Sequence, residues 1–386
     1  MKKIFKYVMM FAAVSMLTFG MTACSDDKNE KEIETDPLAN VDANSLDYNS
    51  AYAEQWANYM VTVANLLVID ATTLYNEWNT SYANIFKNHN SEEYKSAIEC
   101  VEQIFDGCSD IANEVGDAKI GEPYNLYISG NTTEALYAVE SWYSWHSRED
   151  YRNNIYSIRN AYYGSRNGSV NANSLSAVLA KVNPALDAEA KEMIADAAEA
   201  IMNIPDPFRN NINAAEVVEA MDACADLVDF IEDELKPYFT ENINDDATLD
   251  PVVKQYVDGV VLPTYLDLKN LNTAMQTAVN NFKANPTDSN FAACASAWLA
   301  AREPWESSEA FLFGPVADLG LDPNMDSWPL DQAQILQILK SQDFKNLNWG
   351  GEYDEESEAI EAAQSLRGFH TLEYLVFKDG KARTVK

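Results

Sequence analysis

The feature that most limits what this chain can fold into is a spacing. From Tyr48 to Trp78 the large apolar residues Tyr52, Trp56, Tyr59, Val63, Leu66, Leu67 and Leu74 return at threes and fours. One face of an α-helix has that period. The pattern predicts helix to about residue 87, where Asn88-His89-Asn90 breaks it. Similar spacing recurs down the chain, and no stretch alternates apolar and polar residues as a half-buried strand does. The expected fold class is all-α, built of antiparallel bundles.

Punctuation divides the rest. Ser91 with Glu92 and Glu93 predicts a helix start, running to about Val115. Gly116, Gly121, Pro123 and Gly130 predict a loop. Helix is expected again from Thr132 through Trp145, and from Ser147, a favoured cap, through Tyr163. Two shorter helices at 174–182 and 187–202 precede a long one at 213–238. Asn242 to Leu249 is polar and acidic, a natural boundary. Helix resumes from Pro251, with a kink expected at Pro263, and further helices are expected from Asp288 through Phe313, at 331–340 and at 355–378.

A faint internal repeat adds organisation. Trp145-His146-Ser147-Arg148-Glu149-Asp150-Tyr151 aligns with Trp305-Glu306-Ser307-Ser308-Glu309-Ala310-Phe311. A long helix precedes each segment, and a short then a longer helix follow. Each unit needs a fourth long helix, and the last unit runs out of chain. The unclaimed first helix, 45–88, is therefore expected to complete the C-terminal bundle, 245–386, beside a central four-helix bundle, 89–244.

The beginning of the chain reads as a targeting segment. Lys2, Lys3 and Lys6 precede an apolar run from Val8 to Phe19, and Met21-Thr22-Ala23-Cys24 resembles a lipobox. Residues 1–24 are expected to be a lipoprotein signal peptide, with lipid on Cys24, and 25–44 a flexible linker. This implies a lipid-anchored protein of a Gram-negative cell envelope. No later stretch has the ~18 consecutive apolar residues of a membrane span. The balance of 27 Lys+Arg against 61 Asp+Glu, a net charge of −34, excludes nucleic acid as a natural partner. Cys100, Cys108, Cys224 and Cys294 match no zinc spacing, and the first two would sit ~12 Å apart on one helix, too far to bridge.

Chemistry concentrates in three clusters. In Arg367-Gly368-Phe369-His370-Thr371-Leu372-Glu373, His370 and Glu373 are three apart and share a helical face, half of a metal site. The same pair is compatible with a surface ion pair or a satisfied core histidine. In the second cluster Arg302, Trp305 and Glu309 fall at i, i+3 and i+7, which a solvated Arg–Glu pair would also explain. The third is Glu140-Ser141-Trp142-Tyr143-Ser144, running on to Asp150 and Asn154. There is no HExxH, no G-x-S-x-G elbow and no Gly-rich phosphate loop.

These clusters carry a resemblance. Gly368-Phe369-His370-Thr371-Leu372-Glu373 fits the GxHxxE motif of the imelysin-like proteins, Arg302 to Pro315 resembles their R-x-x-W-x-x-x-E-x-F-x-x-G-P segment, and Ser327-Trp328-Pro329-Leu330-Asp331 their W-P motif. The Glu140–Asn154 stretch is similar to the family's second-half signature. In most members GxHxxE lies in the first half, so the halves are exchanged here, as in a circular permutation. The resemblance implies two similar four-helix bundles with a site between them, in envelope proteins associated with iron uptake. Its first members were described as peptidases.

On this reading His370, Glu373 and Glu309 would hold a metal, iron or zinc suiting such a nitrogen and oxygen set better than calcium. Arg302 would orient an anionic group, Trp305 would wall the pocket, and Glu140 and Ser144 would approach from the other bundle. The partner would be a metal ion or metal chelate, delivered to or from an envelope transporter. Two alternatives stay open: a metallopeptidase with Glu309 or Glu140 as base, and a glycan- or peptide-binding surface protein using its many Trp and Tyr.

Overall fold

Most helices form where the apolar spacing places them, and side-chain caps set the starts of several. The computed structural model describes residues 37–39 and 41–385. The expected leader with Cys24, and most of the expected linker, lie outside the described residues. Leu38, inside the linker range, is buried.

In chain order, α1 (Ala53–Glu77) runs through a wide π-helical turn, Trp78–Tyr82, into α2 (Ala83–Asn88). The left-handed backbone of His89 ends it. Then α3 (Ala97–Asn113) starts six residues later than its predicted cap, because the Ser96 amide donates to Glu99 at 3.1 Å in a capping box. The predicted loop after Val115 is instead helix. A π-helical stretch, Glu114–Gly121, leads directly into α4 (Glu122–Ile128). Gly116 serves close packing there, since a Cβ would stand 2.8 Å from Cβ of Cys224. The helix expected through Trp145 stops early, with α5 (Thr132–Ala138), and leaves 139–146 as a loop.

The middle of the chain holds α6 (Ser147–Tyr163), α7 (Leu175–Val182), α8 (Pro184–Asn203) and α9 (Ala215–Phe230), the last continuing through a π-helical turn into α10 (Lys236–Asn242). Asp245 caps α11 (Asp246–Tyr256), so Pro251 lies inside that helix and not at its start. Another π-helical turn joins it to α12 (Leu262–Ala284). Thr287 caps α13 (Asp288–Glu306), which ends before Phe313. Short helices follow, α14 (Pro315–Asp318), α15 (Leu321–Asp326) and α16 (Gln332–Ser341), and the expected last helix is two, α17 (Glu358–Gln364) and α18 (Gly368–Val376). A two-residue hairpin closes the described chain, β1 (Phe377–Lys378) against antiparallel β2 (Lys381–Ala382). The fold is all-α apart from that hairpin.

The two ends of the described chain meet. Trp56 Nε1 donates to the Leu375 carbonyl at 2.9 Å, and the Tyr59 hydroxyl to the Leu366 carbonyl at 2.7 Å. α1 also packs along α12, which packs along α13. Trp298 Nε1 of α13 donates to the Phe369 carbonyl at 2.9 Å. α18 is thus clasped from both sides, and every one of its residues is buried. By length and composition the helix Ser50–Asn88 could cross a membrane, but 56% of its apolar window is buried in this fold. All four described cysteines are free and buried, and Cys100 and Cys108 are unbridged as their spacing predicts.

Candidate functional site

α18 is placed by its first residue. Gly368 has φ +86°, and a Cβ there would stand 2.5 Å from the carbonyl oxygen of Met325. Only glycine tolerates both conditions. The start of α18 therefore lies directly against the end of α15, and His370 comes to Asp326.

His370 is fully buried and engaged at both ring nitrogens. Nδ1 lies 3.0 Å from Oε2 of Glu373. Nε2 lies 3.0 Å from Oδ1 of Asp326, 3.2 Å from Oε1 of Glu140 and 3.3 Å from Nη2 of Arg302. Burial and the Arg302 charge press its pKa down, yet Asp326 and Glu140 carry it well above the ordinary value. The ring thus lies among carboxylates that favour its protonated form.

Glu373 is already saturated. Its Oε1 accepts from the Tyr143 amide at 3.1 Å, and from the Ser144 amide and hydroxyl at 2.7 Å each. Those donors lie in the 139–146 loop, where Ser141 and Trp145 both hold positive φ. Strained backbone of this kind persists where surrounding contacts over-determine it. Here Glu373 anchors the loop that presents Glu140.

Arg302 is the hub. It is fully buried, with Nη2 2.6 Å from Glu140 and 2.5 Å from Glu306, and Nη1 on Asp326. Trp305 donates Nε1 to Oδ2 of Asp326 at 2.6 Å. The ring of Trp328 packs edge-on against His370, centroids 5.0 Å apart. Lys119, carried inward by the π-helical stretch, reaches Oε2 of Glu140 at 3.0 Å. Burial raises the Glu140 carboxyl, but Lys119 first and then His370 bring it down to about 2. Burial drives Glu306 the other way, to about 8, against the pull of Arg302. It also holds Glu309 well above the carboxylate range, with Glu306 adding to the effect.

The arrangement joins six of the seven sequence-predicted residues directly: His370, Glu373, Glu140, Ser144, Arg302 and Trp305. Glu309 comes in through a second set, in which Glu306, Glu309 and Asp326 offer oxygens within 4.8 Å of one another. It does not share a helical face with Arg302. α13 ends at Glu306, and Glu309 begins a 3₁₀ turn, Glu309–Phe311. The Ser157 hydroxyl captures the Ala310 amide at 2.9 Å, and Gly107 of α3 admits the Ala310 carbonyl. Asp326, Glu306 and Lys119 were not singled out from sequence. Glu306 was within reach, four residues after Arg302, and Asp326 directly precedes the Ser327-Trp328-Pro329 motif.

Two donor sets could hold a metal ion, the Glu306, Glu309 and Asp326 oxygens and a set around His370. Nε2 of His370 with the carboxylates of Glu140 and Asp326 lies within 4.8 Å. A nitrogen and two oxygens suit iron or zinc. Glu373 on Nδ1 supplies the outer carboxylate that metal-bound histidines usually have. Against this, a cation at Nε2 must displace a proton and share the space with Arg302. Glu140, Asp326 and Glu373 are the carboxylates that face the ring.

Comparison with known proteins agrees with the motifs. A family model described as Imelysin (Peptidase M75) matches residues 28–233 and 261–386. The crystal structure of an imelysin peptidase from Bacteroides ovatus is similar to this fold with a TM-score of 0.87 and 58% sequence identity, over 89% of this chain and 100% of that one. The iron-regulated protein A of Synechococcus elongatus is 32% identical over 125 residues, which is 32% of this chain and 31% of that protein. That match spans under a third of the relative's length.

Proposed function

The chain belongs to the imelysin family, and on that premise we propose that it is an iron-related protein of the bacterial envelope that binds a metal ion or metal-bearing ligand at His370. The metal is cargo on this reading. His370, Glu140 and Asp326 would hold it, Glu373 would orient the imidazole, and Ser144 would fix Glu373. Glu309 and Glu306 would supply further carboxylate to a larger ligand. Arg302 would pair with an anionic group of a chelate, or with Glu306 when a bare ion takes Glu140 and Asp326. The relative named for iron regulation supports the choice of iron over zinc. The leader and Cys24 read from the sequence would tether the protein to a membrane beside the uptake components it serves. The exchanged order of the halves is part of the same reading.

The observation that carries this is the convergence of two carboxylates on Nε2 at 3.0 and 3.2 Å while Nδ1 is held from behind. Calorimetry with ferrous and zinc salts on the mature chain tests it. Saturable binding that disappears in a His370→Ala, Glu373→Ala double variant is expected. Binding that survives the double variant removes this site. A peptidase reading draws on one feature, the Glu306 carboxyl held near 8, where a group can exchange protons at neutral pH. Cleavage of an unfolded protein substrate that stops on adding chelator would favour it.

A further inference from the structure

α6 has two working faces. Asp150, Asn154 and Ser157 point into the site described above, with Asn154 on Glu306 at 2.5 Å. Arg152, Tyr156, Arg159 and Tyr163, at i, i+4, i+7 and i+11, make a second stripe. It lines a groove of about 330 Å³ against α8, whose Lys191, Ala198 and Met202 form the facing wall. The volume lies within the range of small-molecule sites.

In a chain of net charge −34 this groove is an anomaly. Among the described residues, no carboxylate lies within ion-pair distance of Arg152 or Arg159. Nε of Arg152 is buried with no hydrogen-bond partner. Both guanidiniums gather on one ring, 5.5 and 3.9 Å from the centroid of Tyr156. Asn160 fixes Arg159 by accepting from Nε and Nη2. Burial first, with the charge of Arg152 adding to it, pulls Arg159 below its ordinary pKa. Two like charges are thus held together with no internal counterion. Of the other charged groups, Lys191 is paired with Asp187 at 2.7 Å, and Glu199 is exposed on the groove lining.

We infer that the α6–α8 groove is a binding site for a small organic oxyanion, its carboxylate or phosphate groups taken by the guanidinium forks of Arg152 and Arg159. Arginine presents paired donors that match a planar carboxylate or a phosphate edge. The tyrosine ring pre-orders both forks, so little freedom is lost on binding. The bound anion removes the repulsion between them. Nothing in this inference depends on a metal at His370.

Calorimetric titration of the full chain with citrate, inorganic phosphate and neutral sorbitol, at low and moderate salt, tests it. Citrate or phosphate is expected to bind at one site, weakening with salt, while sorbitol gives no heat. The tighter of the two anions names the source. Arg152→Gln with Arg159→Gln is expected to raise Kd at least tenfold, with an unchanged circular-dichroism spectrum. Glu199→Lys alters an exposed residue and is expected to tighten binding several-fold, even if the arginine variants unfold. An absence of saturable binding by both anions, or a Kd unmoved by Glu199→Lys, overturns the assignment.

Discussion

Oε2 of Glu373 lies 3.0 Å from Nδ1 of His370, while Oε1 of the same carboxylate takes three donors from Tyr143 and Ser144. One side chain therefore fixes both the ring and the loop that carries Glu140. Glu373→Gln keeps the shape but removes the charge, and its amide end presents a donor to one of these partners. Metal affinity at His370 is expected to fall by roughly 10–100-fold, the usual cost of losing an outer-shell partner. Parallel titrations of the two proteins measure it. An unchanged affinity would mean that the ring needs no such support.

Gly368→Ala tests how the site is assembled. The alanine Cβ meets the Met325 carbonyl and must adopt φ +86°. A loss of about 1–3 kcal/mol is expected from the backbone alone, read as a lower urea midpoint. Because the clash separates α18 from α15, His370 should also lose Asp326, and metal binding should weaken in the protein that still folds. Gly350→Ala is the control, since nothing lies within 4 Å of its Cβ position and its φ is unremarkable. Equal effects of the two changes would contradict the proposed role of Gly368.

What could be read from sequence follows a physical division. Helical spacing is local, so α1, α6 and α13 were legible, as was the absence of a bridge between Cys100 and Cys108. Glycine was misleading at Gly116 and Gly121, both of which are helical; at Gly116 it serves close helix packing. Its meaning there depends on Cys224, more than a hundred residues away. The same misreading hid Lys119, which a π-helical turn brings to Glu140. Arg302, His370 and Glu140 were found because their segments carry recognisable motifs. Asp326 was missed because its importance arises only when α15 and α18 meet. A helix end such as that of α13 is likewise set by distant partners, here Ser157 and Gly107.

The second buried arginine gives a prediction in pH. Arg367 and Asp70 form an ion pair at the end of α18 remote from the hairpin, both almost fully buried. Burial lifts the Asp70 carboxyl to about 6, although Arg367 pulls it down. The native state then holds a proton between pH 4 and 6 that the unfolded chain has released. This group's contribution is full below pH 4 and is lost as pH rises through 6. The change amounts to about 3 kcal/mol. Urea unfolding at pH 4, 5, 6 and 7 should show that slope in the native protein relative to Asp70→Asn. A difference between the two proteins that is flat across that range would show that Arg367 keeps Asp70 ionised throughout.

Arg302→Met separates structural from ligand-binding roles for the central acids. It strips the guanidinium from Glu140, Asp326 and Glu306 at once. Removing one partner of a buried ionic cluster typically costs about 3–5 kcal/mol. The metal-free variant should therefore melt well below the native protein. If the acids and His370 accept a cation, zinc or ferrous ion should restore more of that loss in the variant than it adds to the native protein, because Arg302 no longer competes for the same oxygens. A ligand at a hundred times its Kd contributes about 2.7 kcal/mol, enough to read as a shift in Tm. A variant that melts early and does not respond to either ion would show that these carboxylates exist to neutralise Arg302, and that the cargo binds elsewhere.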